Sequence, residues 1–188
     1  MNLFKSMLKK LQKERSHLHF PPVLDNPEIV KGTERFNPYP AKTFLGEQNL
    51  HAYYLIFMLK HDSFLELQAL LASRFGNQEL SSDTILRNEN QEVLALSYRQ
   101  EFGGIIVEAT TNSMPLIRAL DARFPAPPPP WSAFPNMEPI EAAMNKQGSL
   151  EYWWNRIWLP FWSTRTLLEK EEYLMKNDVS VEWREVLT

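Results

Sequence analysis

The chain has 188 residues, 44% of them hydrophobic and 23% charged, with a net charge of −3 and no cysteine. That composition buries a full core and excludes disorder over most of the length. The missing thiols exclude a disulfide framework, cysteine-ligated zinc, iron–sulfur clusters and thiol catalysis, and the longest apolar run, Ala52 to Leu59, is too short to span a membrane.

Residues 2–18 read as an amphipathic helix. Leu3, Phe4, Met7, Leu8 and Leu11 fall at helical spacing, with Lys5, Lys9, Lys10 and Lys13 between them. Pro21 and Pro22 stop it. The lysines and the lack of a small-residue cleavage site argue against a secretory leader, so a cytoplasmic location is expected. Residues 1–20 carry a net charge of +4, and the remainder has 15 basic and 22 acidic residues, net −7. Residues 21–48, punctuated by Pro, Asn and Gly, are expected to form an extended surface segment anchored to the body by Tyr39.

Residues 51–60 are apolar at both parities and rich in aromatics. They predict a buried central strand, with a buried helix left open by periodicity alone. Asp62 or Ser63 is the expected N-cap of a helix over residues 64–75, with Phe64, Leu67, Leu70, Leu71 and Phe75 on one face and Gly76–Asn77 at its end. Three strands follow: Thr84–Arg87, Glu92–Gln100 and Ile105–Thr110. The turns between them are Asn88–Gln91 and Phe102-Gly103-Gly104. In the second strand Leu94, Leu96 and Tyr98 point one way, Ser97 and Arg99 the other. Met114–Phe124 predicts a helix that tolerates Pro115 in its first turn.

Residues 125–135, PAPPPPWSAFP, impose polyproline II and read as a spacer, with an SH3-like domain as the alternative partner of the run. Beyond them the pattern is helical. A helix over Glu138–Gln147 ends at Gly148, and Ser149 is positioned to cap the next. There Leu150, Trp153, Trp154, Ile157, Trp158 and Phe161 form a stripe that Pro160 must end or kink. Thr166 and Glu169 form a capping-box pattern opening a helix to about Lys176 that carries Leu167, Leu168 and Leu174. Ser180–Leu187 turns Trp183 and Leu187 inward. The expected class is α+β: an antiparallel β-meander covered by helices, with a Trp-rich C-terminal helical subdomain. The expected divisions are an N-terminal helix over 1–20, an α+β core over 21–124, a Pro-rich connector over 125–135 and the helical subdomain over 136–188, packed on the core.

Among chemistry-bearing patterns, no Walker loop, dinucleotide fingerprint or nucleophile elbow occurs, and only two of the six glycines are adjacent. His17 and His19 read as a surface pair rather than a metal site, and His61 as a capping or surface residue. Glu169, Glu171 and Glu172 are accounted for by a helix start. No catalytic residue, metal or cofactor is expected. Residues 62–108 hold three basic and eight acidic side chains, net −5, which argues against phosphate neutralisation of a nucleic acid and for a basic protein partner.

A small, cysteine-free, mildly acidic chain with a meander followed by EYWWNRIWLPFW and by TLLEKEEYL and VEWREVL resembles the cytoplasmic immunity proteins of bacterial polymorphic toxins and type VI secretion effectors. The resemblance implies a non-enzymatic binder that occludes the active site of one cognate toxin. Charge alone nominates Asp83, Glu89, Glu92 and Glu101 for steering toward a basic toxin cleft, and one or two aromatics, Trp131 or Phe134, are expected to provide the buried anchor. Two other classes remain: a peripheral-membrane or secretion adaptor using residues 2–18, and a small hydrolase with a carboxylate or histidine site.

Overall fold

The computed structural model describes residues 32–144 and 146–188. The predicted helix over 2–18, the histidines at 17 and 19 and the first part of the 21–48 segment lie outside the described residues. The fold is α+β. Five antiparallel strands lie in the order β1-β2-β5-β4-β3: β1 Ala41–Phe44, β2 Tyr53–Leu59, β3 Asp83–Arg87, β4 Val93–Glu101 and β5 Gly104–Thr111. The run at 51–60 is a strand, not a helix. The central position belongs to β5, and β2 lies between β5 and β1. Every residue of β2 and β5 is buried, because helices cover both faces of the sheet; such strands read as continuous apolar runs.

Side-chain alternation and register separate the two faces. One carries Tyr53, Leu55, Phe57 and Leu59 beside Ile105, Val107, Ala109, Leu94, Leu96 and Tyr98. It packs on α1 (Phe64–Phe75) and α2 (Met114–Arg123): Phe57 stacks on Phe124 at 6.2 Å, and Phe64 meets Tyr98 at 4.7 Å. The other carries Met58, Ile106, Glu108 and Arg99 and receives the tryptophan-rich helices; the Trp153 indole N–H points at Met58 Sδ, 3.0 Å away. No helix among the described residues is long and apolar enough to cross a membrane.

The 21–48 segment is more than an extended surface strap, since β1 pairs with β2 along its full length. Tyr39 anchors it as expected: fully buried, its hydroxyl donates to Met58 O and accepts from Met58 N, both at 2.7 Å. The Tyr39–Pro40 peptide is cis. Lys42 faces inward, its ammonium 2.5 Å from Asp121 on α2 and donating to Pro40 O and Asn37 O at 2.7 and 3.1 Å. Burial lowers the Lys42 pKa and raises that of Asp121 against the pull of the pair itself.

Helix α1 is entered through a 3₁₀ turn, His61–Ser63, and Ser63 is itself helical, so neither Asp62 nor Ser63 supplies the expected side-chain cap. The β4–β5 turn places Phe102 and Gly103 at φ 55° and 64°, the two positive values a type I′ hairpin requires. A Cβ on Gly104 would stand 2.4 Å from the Leu59 carbonyl oxygen, so close approach to β2 demands glycine there.

The proline run is not an exposed spacer. Pro127, Pro128, Pro129 and Pro130 are buried, Tyr173 donates to Pro127 O at 2.8 Å, and Pro130 opens the short helix α3 (Pro130–Ala133), where a missing N–H costs nothing. Helix α4 is shorter than the expected 138–147 segment, at Pro139–Met144. Helix α5, Gly148–Trp153, starts at Gly148 with no side-chain cap, so Ser149 does not serve as one. It then widens into a π-turn, Trp154–Trp158, and continues as α6, Leu159–Trp162. Pro160 therefore does not end the helix, which reaches it through an irregular π-turn. The π-turn before it widens the ladder, with Leu159 N bonding Trp154 O, and so makes room for the ring. The extra residue also brings Trp153 and Trp158, five apart, into a parallel stack at 5.9 Å, which a regular α-helix would splay by about 140°. The last two helices are α7, Leu167–Lys176, opened by the predicted Thr166–Glu169 capping box, and α8, Val181–Leu187, with Trp183 and Leu187 buried.

Candidate partner-binding surface

The six residues nominated from sequence do not form one surface. Asp83 and Glu89 are exposed, the first at the start of β3 and the second in the β3–β4 turn. Glu101 lies at the far end of the nine-residue β4 from Glu89 and Glu92, a span of about 26 Å at strand rise, and is paired with Arg99 at 2.7 Å. Trp131 is half-buried against Trp183 at 5.8 Å, its indole N–H on Asn177 O. Phe134 packs between Phe102 and Trp153 at 5.3 and 5.4 Å.

Glu92 is engaged within the chain. Its carboxylate pairs with Arg74 and accepts from Asn88 Nδ2 at 2.6 Å and Ser113 Oγ at 2.8 Å. Ser113 in turn caps α2 by accepting from Leu116 N. Burial works against the Glu92 charge, but the Arg74, Asn88 and Ser113 donors outweigh it and hold the pKa below its ordinary 4.5. A carboxylate depressed on folding stabilises above its unfolded pKa and loses that contribution as pH falls through the lower folded value. Glu92→Ala is therefore expected to cost about 2 kcal/mol at neutral pH, with the gap to the parent closing as pH falls below 4.5. Urea titrations across that range test this; a gap independent of pH would contradict the assignment.

A second cluster went unmarked in the sequence. Glu108, 3% exposed in the middle of β5, accepts from Tyr54 at 2.8 Å and pairs with Arg99 at 2.7 Å. Arg99 also reaches the Tyr152 hydroxyl at 3.2 Å, tying α5 to the sheet. Burial first, then the Glu108 charge, drives the Tyr54 pKa far up and keeps the phenol neutral. Burial opposes the charge on Arg99, and its Tyr152, Glu108 and Glu101 acceptors more than restore it. The cluster is a fixed ion pair bracketed by neutral hydroxyls, suited to holding a layer in place. The signal available was a lone carboxylate in the apolar run GIIVEATT beside a strand carrying an arginine.

The large apolar side chains left in solvent concentrate on the C-terminal helices. On α7, Leu167, Leu168 and Met175 are 79%, 68% and 66% exposed, whereas Leu174 is fully buried. At 100° per residue those three share one arc of the helix with Glu171 and Glu172, and no lysine falls within it. Lys170 is turned the other way, over the Trp162 ring at 5.2 Å. Glu171 pairs with Arg184, joining α7 to α8. Val181 at the start of α8 and Ile140 and Met144 on α4, which packs against α8, are exposed as well. Residues 166–188 hold six acidic and three basic side chains. The surface is apolar, framed by negative charge.

A groove of about 390 Å³ runs between α1 and the 76–80 segment, lined by Leu71, Ala72, Gln78, Leu80 and Leu86 among others. Glu79 is its single ionisable lining residue, and none of His61, Glu169, Glu171 and Glu172 reaches it. Among the described residues no three His, Asp or Glu side chains group as a metal site would require. Comparison with protein-family models, with curated proteins and with solved structures found no match for the chain.

Proposed function

We propose that the protein is a non-enzymatic, cytoplasmic immunity-type protein that binds a cognate basic toxin or secreted effector domain and covers its active site. The observation that carries this reading is the α7 arc, where three large apolar side chains stand in solvent beside Glu172 and the Arg184-paired Glu171. Exposed apolar clusters rimmed by polar groups mark protein contact sites. Leu168 and Met175 act as the buried anchors, and the acids around them steer a basic cleft into place at a rate that salt reduces.

The test pairs the parent with Leu168→Glu combined with Met175→Glu, a change confined to solvent-facing positions that leaves the melting temperature in place. Tagged parent protein should retain one partner from the native cell, and that partner, expressed alone, should arrest growth unless the parent is supplied. The double variant should bind it at least about a hundredfold more weakly, as loss of two anchors implies, and should fail to rescue growth. Equal rescue by the variant would remove α7 from the contact, and a captured partner without toxicity would overturn neutralisation.

A further inference from the structure

Strand β3 closes one end of the sheet, and its outer side has no ladder partner among the described residues. Tyr98 N bonds Ser82 O and Asn88 N bonds Glu92 O, so residues 82, 84, 86 and 88 turn their backbone groups toward β4. Asp83, Ile85 and Arg87 turn theirs away from the sheet. Among the described residues the one bond found there is from the Ser81 hydroxyl to Asp83 O, which leaves that oxygen a second lone pair.

Natural edge strands are guarded by shortness, proline, bulges, charged side chains or a covering element. Strand β3, five residues long, has no proline or bulge, and its two charges are of opposite sign. Its sequence is Asp83-Thr84-Ile85-Leu86-Arg87, with a carboxylate at one end, a guanidinium at the other and three uncharged residues between, two of them β-branched. Asp83 and Arg87 are exposed on the same face of the strand, and neither forms an ion pair among the described residues.

We propose that β3 is a self-association edge, on which a second copy of this chain pairs antiparallel about a twofold axis at Ile85. In that register Ile85 faces the partner's Ile85, and Asp83 and Arg87 face the partner's Arg87 and Asp83. These are the residues whose backbone donors and acceptors point outward, so ladder bonds and charge pairs come from the same positions. A shift by two residues leaves the charges unpaired, and a parallel pairing sets like charges side by side, so the charge pattern selects one arrangement. A twofold interface is self-complementary in this way. On the opposite face Leu86 meets the partner's Thr84 beside the groove lined by Leu71, Ala72 and Leu80. The two five-stranded sheets become continuous. The α7 arc is no part of this edge, so the variants that test partner binding leave the association intact.

Sedimentation equilibrium on the full chain tests the pairing. The parent should be a reversible dimer. Asp83→Arg and Arg87→Asp each put like charges opposite at both ends and should raise the dissociation constant roughly tenfold or more. An equimolar mixture of those two variants should regain a dimer, because opposite charges then meet at both ends, and so should the double exchange Asp83→Arg/Arg87→Asp. Ile85→Pro deletes an N–H that faces outward and spares the β4 ladder; it should give a folded monomer. A monomeric parent overturns the proposal, and so does a dimer that both single exchanges leave unchanged or a mixture that stays monomeric.

Discussion

Trp158→Ala is expected to lower stability by about 3–5 kcal/mol, a large share of what a chain of this size possesses. The ring is fully buried, stacked on Trp153 at 5.9 Å and Trp162 at 4.9 Å and edge-on to Tyr173 at 5.7 Å. Truncation opens a cavity that helices on both sides of the π-turn cannot close without losing the turn. The sharper test is Trp158→Phe. The Trp158 indole N–H is buried and meets no acceptor among the described residues. Replacing the indole by a benzyl ring forfeits contact area but removes an unpaid desolvation penalty, for a net cost of about 1 kcal/mol. Trp162→Phe reverses the balance: that indole donates to Leu187 O at 3.2 Å, and losing it strands a carbonyl in the final turn of α8, at about 2 kcal/mol. Urea denaturation followed by circular dichroism ranks the three variants. Trp158→Phe as damaging as Trp158→Ala would show that the indole N–H is satisfied in solution and that the stack is held by more than packing.

The parts of this fold that were legible before the structure share one property: their residues report local physics. The apolar runs of β2 and β5, the Gly-marked β4–β5 hairpin, the Thr166–Glu169 capping box and the Trp183–Leu187 pair each follow from spacing or from a cap. What stayed hidden depends on partners far away in sequence. Strand β1 has an inward lysine that breaks alternation, and only Asp121, 79 positions on, makes that acceptable. The prolines at 127–130 look like a solvated spacer until Tyr173 closes over them. Glu92 looks like one more surface acid until α1 supplies Arg74. Leu167 and Leu168 at a capped helix start look like core, and whether a layer lies over them is a matter of how α7 and α8 are set together. Two of the nominated acids, Glu92 and Glu101, turn out to be paired within the chain for the same reason. Charge could be counted along the chain, but which charges the chain itself consumes could not.

Arg99→Met is expected to cost about 3–5 kcal/mol, because it leaves Glu108 as a buried carboxylate without its ion-pair partner. The reciprocal change should be milder. Arg99 is 30% exposed on its side chain and keeps Glu101 at 2.7 Å, so in Glu108→Gln the guanidinium stays paired and partly hydrated, and the amide oxygen still accepts. That variant should cost about 1–2 kcal/mol. The double change Arg99→Met/Glu108→Leu removes both charges and should cost less than Arg99→Met alone, since the penalty lies in the orphaned carboxylate and not in the lost attraction. The cycle is read by urea denaturation of the four proteins. Equal costs for the two single changes would mean that water reaches Glu108 through the gap left by Arg99, and the cluster would then be a hydrated seam between the sheet and α5 in place of a dry clamp. The asymmetry also bears on how the layers are held. Tyr152 meets the sheet through Arg99 at 3.2 Å and Glu108 at 3.5 Å, so a variant that loosens the pair should free α5 before the core of β2 and β5 gives way, visible as early hydrogen exchange in residues 148–153 with the central strands still protected.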